Sequence, residues 1–208
     1  MMRVAVLSES SADEAAIRVL VDAILGEPTV PADDLHLESR GFGAVRKILP
    51  AIVQSTHYRT STDGLVVVVD SNHTSLLPGS EKNRLRELRE LVDGLRPNLR
   101  PVKGRVPLRV AIGVAAPAIE AWLLCHRRQA INEAAWEQGL RNNRDPYSKL
   151  SLKEHLYGVP RVSLAMETLK MTEAAHEIAK DLALVESRFP NGFGSLAGQL
   201  RDWRRVGS

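Results

Sequence analysis

Acidic side chains follow the predicted strands of this chain at three places. Glu9 comes after an apolar run near the N-terminus, Asp70 ends the run GLVVVVD, and Glu120 follows a third apolar run by a few residues. Ligands of open α/β sheets bind beyond the carboxyl ends of the strands, so we expect these carboxylates to share a cleft if the first and third strands are neighbours. Shared carboxylate oxygens are the ligands that Mg²⁺ or Mn²⁺ prefers.

Two further oxygen-bearing side chains accompany these acids. Asp13 lies four residues after Glu9, near the start of a predicted helix, and Asn72 lies two residues after Asp70. Structural explanations remain open for all of them. Glu9, Asp13 and Glu120 could complement helix N-termini, and Asp70 and Asn72 could form turns. The residue types alone therefore allow either a metal site or a set of turns and helix starts.

Strands alternate with helices in the first 115 residues. The run of four valines lacks polar alternation, which is typical of a strand buried on both faces of a parallel sheet. This order predicts an α/β fold with a mostly parallel, Rossmann-like sheet flanked by helices. The predicted strands are Arg3 to Leu7, Asp34 to Glu38, Leu65 to Val69 and Leu108 to Val114, and the helices are Ser11 to Leu25, Ala44 to Gln54, Glu81 to Leu95 and one opened by Pro117.

The pattern changes after about residue 130. No strand is predicted beyond Val114, and the remaining sequence favours helices separated by loops. We therefore expect an α/β core over residues 1–130 and a helical C-terminal extension over 131–208 that packs on this core. A single undivided domain remains an alternative.

Composition excludes several classes of protein. Hydrophobic residues make up 44% and charged residues 25% of the chain, a balance typical of globular proteins. No apolar run approaches the ~20 residues of a membrane span, and MMRVAVLSES is not a secretory signal. The single cysteine, Cys125, lies in an apolar context and predicts a packed thiol in a reducing cytoplasm. We expect a cytoplasmic protein without membrane contacts.

Basic residues are clustered although the net charge is only +3. The segment from Arg96 to Arg109 contains five basic residues and no acid, and three arginines lie near the C-terminus. Such clusters can follow a phosphate backbone, and they can equally be a solvated loop and tail. His73, close to Asp70, is a candidate to orient water or phosphate, with a solvated turn as the alternative.

Three segments resemble motifs of one superfamily. VLSESSADE, with Glu9 and Asp13, resembles the first motif of the TOPRIM superfamily, and VVVVDSN, with Asp70, resembles the second. PAIEAWLL, which contains Glu120, is similar to a segment of the small TOPRIM-like proteins of family DUF4276, related to RloB and to OLD-type nucleases. The likeness extends over most of the chain, including its helical end.

The resemblance implies a TOPRIM-like nuclease that hydrolyses phosphodiester bonds of nucleic acid with Mg²⁺ or Mn²⁺. Glu9 would be the general acid/base and Asp70 the main metal ligand, so these are the expected catalytic residues. A cation between carboxylates neutralises phosphate and positions water. The expected metal ligands are Glu9, Asp13, Asp70, Asn72 and Glu120, and the expected substrate-binding residues are Arg40, His73 and Lys153.

Two departures from these motifs leave an alternative open. Asn72 stands where the second acid is usual, and Ser10 stands where glycine is usual. The alternative is a catalytically degenerate binding or regulatory subunit. The resemblance also implies a role in bacterial anti-phage defence with a separate ATPase partner, and a homo-oligomer is possible. The choice between DNA and RNA stays open.

Overall fold

A computed structural model of the chain describes residues 1–32, 41–159 and 161–205. Four parallel strands form one sheet in the order β2-β1-β3-β4. The predicted α/β fold with a parallel sheet and a helical C-terminal part is confirmed. The elements are β1 (Arg3–Leu7), α1 (Ser11–Leu25), β2 (Val30–Pro31), α2 (Gly41–Arg59), β3 (Gly64–Asp70), α3 (Arg84–Leu95), β4 (Arg109–Ala115), α4 (Ile119–Leu124), α5 (Glu133–Arg141), α6 (Lys149–Tyr157), α7 (Leu164–Ile178), α8 (Leu182–Arg188) and α9 (Ser195–Arg205), with a 3₁₀ turn at Arg96–Asn98 and a π-helical turn at Pro190–Gly194.

The valine run is apolar throughout because both faces of β3 are covered. Val66 and Val68 belong to a hydrophobic cluster with α1, α4 and α7, whereas Val67 and Val69 belong to a second cluster with α2 and α3. Successive side chains of a strand point to opposite faces, so each face of the sheet needs its own apolar residues. The run therefore leaves no polar position until Asp70, at the carboxyl edge.

Several predicted boundaries differ from the observed ones. The predicted strand Asp34 to Glu38 lies outside the described residues, and the short strand β2 precedes it at Val30–Pro31. The helix predicted from Ala44 to Gln54 is longer than expected, because α2 extends from Gly41 to Arg59. The helix expected from Glu81 begins at Arg84, because the Asn83 side chain accepts a hydrogen bond from the Arg86 N–H and caps it.

The C-terminal helices complete the core. Helix α7 packs along α1, and α9 packs along α1 and β4. Phe189, Phe193 and Trp203 are buried in the same cluster as Val66. In the described ranges no strand follows Ala115, as predicted. No helix among the described residues is both long and apolar enough to cross a membrane.

Gly64 is fixed by close packing at the start of β3. A Cβ atom at this position would overlap the buried ring of Trp203. We expect Gly64→Ala to lower the free energy of unfolding by about 1–3 kcal/mol, the range of overpacked cores. Gly94→Ala is the control, because Gly94 lies in α3 with open space around it. This substitution should raise the free energy of unfolding by about 0.5–1 kcal/mol. Urea unfolding measures both, and equal effects would contradict this packing.

Candidate active site at the carboxyl edge of the sheet

Glu9 and Asp70 meet because β1 and β3 are parallel neighbours. Leu7 pairs with Val67 at the end of their ladder. The chain after β1 then turns back toward the end of β3, and the Asp70 N–H donates to Glu9 Oε1 at 2.9 Å. The proximity expected from the sequence is confirmed for these two residues. Burial and the neighbouring Asp70 charge raise the pKa of Glu9.

The Asp70 carboxylate connects two distant parts of the chain. Its Oδ1 accepts a hydrogen bond from the Ile119 N–H at 3.1 Å, in the first turn of α4. Its Oδ2 accepts from Lys149 Nζ at 2.6 Å, so an ammonium group from the start of α6 neutralises this oxygen. Lys149 was not among the predicted site residues.

Asp13 belongs to the same electrostatic cluster. Ser10 caps α1 by accepting a hydrogen bond from the Asp13 N–H at 3.1 Å, which places Asp13 in the first turn of the helix. Burial, which is the largest cause, and the charges of Asp70, Glu120 and Glu9 together raise the pKa of Asp13 to about 8. The four carboxylates that the sequence singled out therefore repel one another at the carboxyl edge of the sheet.

Side chains of α6 contact Glu120, and one of them also contacts α7. Glu120 is 3% exposed; the Tyr157 hydroxyl donates to it at 3.2 Å, and Lys153 Nζ lies 3.5 Å away. Lys153 also donates to Glu167 at 3.1 Å. Burial and Asp70 raise the pKa of Glu120, while Lys153 opposes the shift. Lys153 lies at the site, as predicted, but both of its contacts here are carboxylates.

Arg84, at the start of α3, also contacts this cluster. Its guanidinium donates to the Asp70 carbonyl oxygen at 2.5 Å and lies 3.8 Å from Glu9 Oε1. The Arg84 Cζ atom lies 4.3 Å from the centroid of the Phe42 ring, in a cation–π contact. Arg84 thereby joins the ends of β1 and β3 and fixes the orientation of Glu9 toward Asp70.

Negative charge exceeds positive charge in this cleft. Each carboxylate whose charge is not neutralised raises the pKa of the carboxyl groups near it. The cluster therefore favours the uptake of protons or of a further cation. The cluster contains the carboxylates Glu9, Asp13, Asp70, Glu120 and Glu167 and the cations Arg84, Lys149 and Lys153.

The donor chemistry suits a hard divalent cation, although the groups are not gathered as ligands. Within the described ranges, no three His, Cys, Asp or Glu side chains form a group that could hold a metal ion as they stand. Four carboxylates nevertheless share the cleft, and one oxygen already binds a cationic group, that of Lys149. Oxygen type and charge therefore fit Mg²⁺ or Mn²⁺, and a cation at Asp70 Oδ2 would compete with Lys149 for that oxygen.

Two of the other predicted site residues, Asn72 and His73, are not brought to these carboxylates. Asn72 adopts a left-handed turn with φ 51°, and its N–H donates to the Pro117 carbonyl oxygen. In the described part of the chain no hydrogen bond joins its amide to the cluster. His73 is largely exposed and lies 3.8 Å from Asp145. Arg40 lies outside the described residues.

The sequence reasoning missed Arg84, Lys149 and Tyr157. One signal was available for α6. Lys149, Lys153 and Tyr157 follow one another at intervals of four residues, which places them on one helical face. The packing of α6 against α4 and α7 determines which residues this helical face contacts. No local sequence pattern specifies that packing.

The pKa of Asp13 predicts a pH-dependent loss of stability without metal. Its folded pKa of about 8 exceeds the ordinary value of 3.8, so its stabilising contribution is complete below pH 3.8 and is lost as the pH rises through 8. Asp13→Asn should therefore raise the free energy of unfolding by about 2 kcal/mol at pH 8–9 and leave it nearly unchanged at pH 4, because coupled carboxylates share the protons.

Urea unfolding in EDTA at several pH values measures this difference. Asp93→Asn is the matched control, because Asp93 is exposed on α3 and pairs only with Arg96 in the described structure. The difference in free energy of unfolding between Asp93→Asn and the wild type should be the same at pH 4 and at pH 9. If Asp13→Asn gives the same flat difference, the repulsion assigned to Asp13 is wrong.

The chain was compared with family models, curated proteins and solved structures. No family model matches it, and neither a curated protein nor a solved structure was found to match. The TOPRIM-like resemblance of the three segments therefore rests on their residues alone, and the chemistry of the site has to be argued from its own geometry.

Proposed function

We propose that this chain is a TOPRIM-like, metal-dependent nuclease that hydrolyses phosphodiester bonds of nucleic acid. The observation that supports this function is the meeting of Glu9, Asp13, Asp70 and Glu120 at the carboxyl edge of a parallel sheet. Their unbalanced negative charge favours a divalent cation, and nucleic-acid phosphates are a substrate that needs one for charge neutralisation.

Glu9, Asp13, Asp70 and Glu120 would hold Mg²⁺ or Mn²⁺ through their carboxylate oxygens. The bound cation supplies Lewis-acid stabilisation of the phosphate charge. Glu9 is the candidate proton acceptor, because its raised pKa makes it a stronger base than an ordinary carboxylate. Its hydrogen bond from the Asp70 N–H fixes one oxygen and leaves the other for proton transfer.

The basic side chains of the cleft suit the substrate. Lys149 is 36% and Lys153 is 38% exposed, so both ammonium groups can reach solvent while their stems pack on α6. Once Lys149 releases Asp70, its charge is available for a phosphate oxygen. Lys153 is held between Glu120 and Glu167 and serves first to position Glu120. His73 and Arg40 remain proposed substrate contacts.

A second candidate function is a non-catalytic binding or regulatory subunit. The ion pair between Lys149 and Asp70 favours it, because it gives Asp70 a charge partner without any metal. The absence of a ready-made group of three ligands among the described residues favours it too. In this case the cleft would bind nucleic acid or a partner without cutting.

Cleavage assays with and without Mg²⁺ or Mn²⁺ distinguish the two functions. Labelled double-stranded DNA, single-stranded DNA, RNA and tRNA are incubated with the wild type in EDTA and in each cation. The nuclease predicts strand breaks that need the cation. Binding in a gel-shift assay without breaks in any cation would establish the non-catalytic subunit and reject the nuclease.

The biological setting is part of the same proposal. We place the chain in bacterial anti-phage defence, with an ATPase as a separate subunit. A homo-oligomer is compatible with it. These partners rest on the TOPRIM-like resemblance, and copurification from the native host tests them.

A further inference from the structure

The outer edge of β4 lines a groove that the proposed chemistry does not use. The groove has a volume of about 730 Å³ and lies between β4, the segment 96–107 and the end of α9. It adjoins Arg109, which pairs with Gly64 at the start of the ladder, whereas Ala115 pairs with Asp70 at the other end. The groove and the carboxylate cluster are therefore at opposite ends of β4, and the two surfaces can act independently.

The backbone of β4 offers an open hydrogen-bonding edge in this groove. The Arg109 N–H donates to the Asp63 carbonyl oxygen, and the Ala115 carbonyl oxygen accepts from the Ser71 N–H, so odd-numbered residues face β3. Even-numbered residues then face outward. Gln199 of α9 occupies the outward N–H and C=O of Ile112. In the described part of the chain no hydrogen bond reaches the outward N–H or C=O of Val110.

The side chains around this edge are mainly apolar and basic. Leu99, Val102, Leu108 and Trp203 line the groove, and Val106 beside them is 65% exposed. Arginines 96, 105 and 109 line it as well, and Asp202 is its only acid within the described residues. The surface therefore combines an open strand edge, apolar contacts and a positive potential.

We infer that this groove binds an extended segment of a partner protein that carries alternating apolar and acidic side chains. The segment adds to the edge of β4, exchanging backbone hydrogen bonds with Val110, while its apolar residues contact Val102 and Val106 and its carboxylates meet the arginines. A peptide fits better than nucleic acid, because Trp203 is only 6% exposed and offers no face for base stacking.

A labelled twelve-residue peptide of alternating valine and glutamate is the probe, and fluorescence anisotropy measures its binding. We expect it to bind the wild type at least about tenfold more tightly than a matched valine-lysine peptide, a difference of about 1.4 kcal/mol. A labelled oligothymidylate of twelve nucleotides tests the alternative occupant.

Two variants locate the binding. Val110→Pro removes the outward N–H without touching the ladder to β3, and we expect at least a tenfold loss, whereas Val110→Thr keeps the N–H and should bind normally. Arg96→Glu, at an exposed rim position, should weaken the acidic peptide and strengthen the lysine peptide, and it keeps the proposal testable if Val110→Pro does not fold.

Three results would overturn the inference. The first is no binding of the acidic peptide at 1 mM or below. The second is equal binding by the wild type, Arg96→Glu and a folded Val110→Pro. The third is tighter binding of oligothymidylate that Arg96→Glu abolishes, which would make the groove a nucleic-acid surface. None of them bears on the carboxylate cluster.

Discussion

Cation-dependent cleavage falls by at least about a hundredfold in Glu9→Gln, the usual scale for removal of a general base. The substitution keeps the size of the side chain and an oxygen for the Asp70 N–H, but it removes the basic carboxylate. Asp70→Asn should lose as much, because it removes the charge at the centre of the cluster. Steady-state cleavage of the substrate identified with the wild type measures both variants.

Glu186→Gln is the matched control for Glu9→Gln. Glu186 is also partly buried and also pairs with an arginine, Arg201, but it lies on α8. It should keep wild-type cleavage. Circular dichroism and thermal unfolding of all three variants exclude loss of fold. Unchanged cleavage by a folded Glu9→Gln variant would show that Glu9 is not the general base. Unchanged cleavage by Asp70→Asn would show that this cluster is not the active site.

Lys149→Met binds Mn²⁺ about tenfold more tightly than the wild type, a gain of about 1.4 kcal/mol. The Lys149 ammonium group occupies Asp70 Oδ2 and competes with any other cation for that oxygen. Its removal also leaves the carboxylate repulsion less compensated. Since Lys149 is 36% exposed, the metal-free variant should lose only about 1 kcal/mol of stability. Excess Mn²⁺ should restore this loss.

Lys170→Met provides the comparison for Lys149→Met. Lys170 makes a similar ion pair with Glu173 on the exposed surface of α7. It should change neither the Mn²⁺ affinity nor the response of thermal unfolding to Mn²⁺. Weaker Mn²⁺ binding by Lys149→Met would mean that the lysine supports the cation, and the competition described here would be wrong.

The meeting of Glu9 and Asp70 was predictable from the sequence on the condition that the first and third strands are neighbours, and the structure meets this condition. Glu9 and Asp70 directly follow or end buried strands, and parallel neighbours bring such ends together. The apolar run before Asp70 predicted a strand covered on both faces, and both hydrophobic clusters bear this out.

The ion pairs of the site were not predictable in this way. Lys149 reaches Asp70 across 79 positions of sequence, through the packing of α6 on α4 and α7. The direction of Asn72 depends on a left-handed turn, which brings its N–H to Pro117. Such contacts depend on how helices pack at the edge of the sheet, and residue periodicity gives only the face of a helix.

Titration of the wild type and Asp70→Asn with Mn²⁺ at pH 8, followed by the electron paramagnetic resonance of free Mn²⁺, tests the central claim most directly. If Glu9, Asp13, Asp70 and Glu120 jointly hold a cation, the wild type takes up Mn²⁺ and Asp70→Asn binds it at least about tenfold more weakly. Wild-type protein that takes up no Mn²⁺ at millimolar concentration, or equal uptake by both proteins, would contradict it.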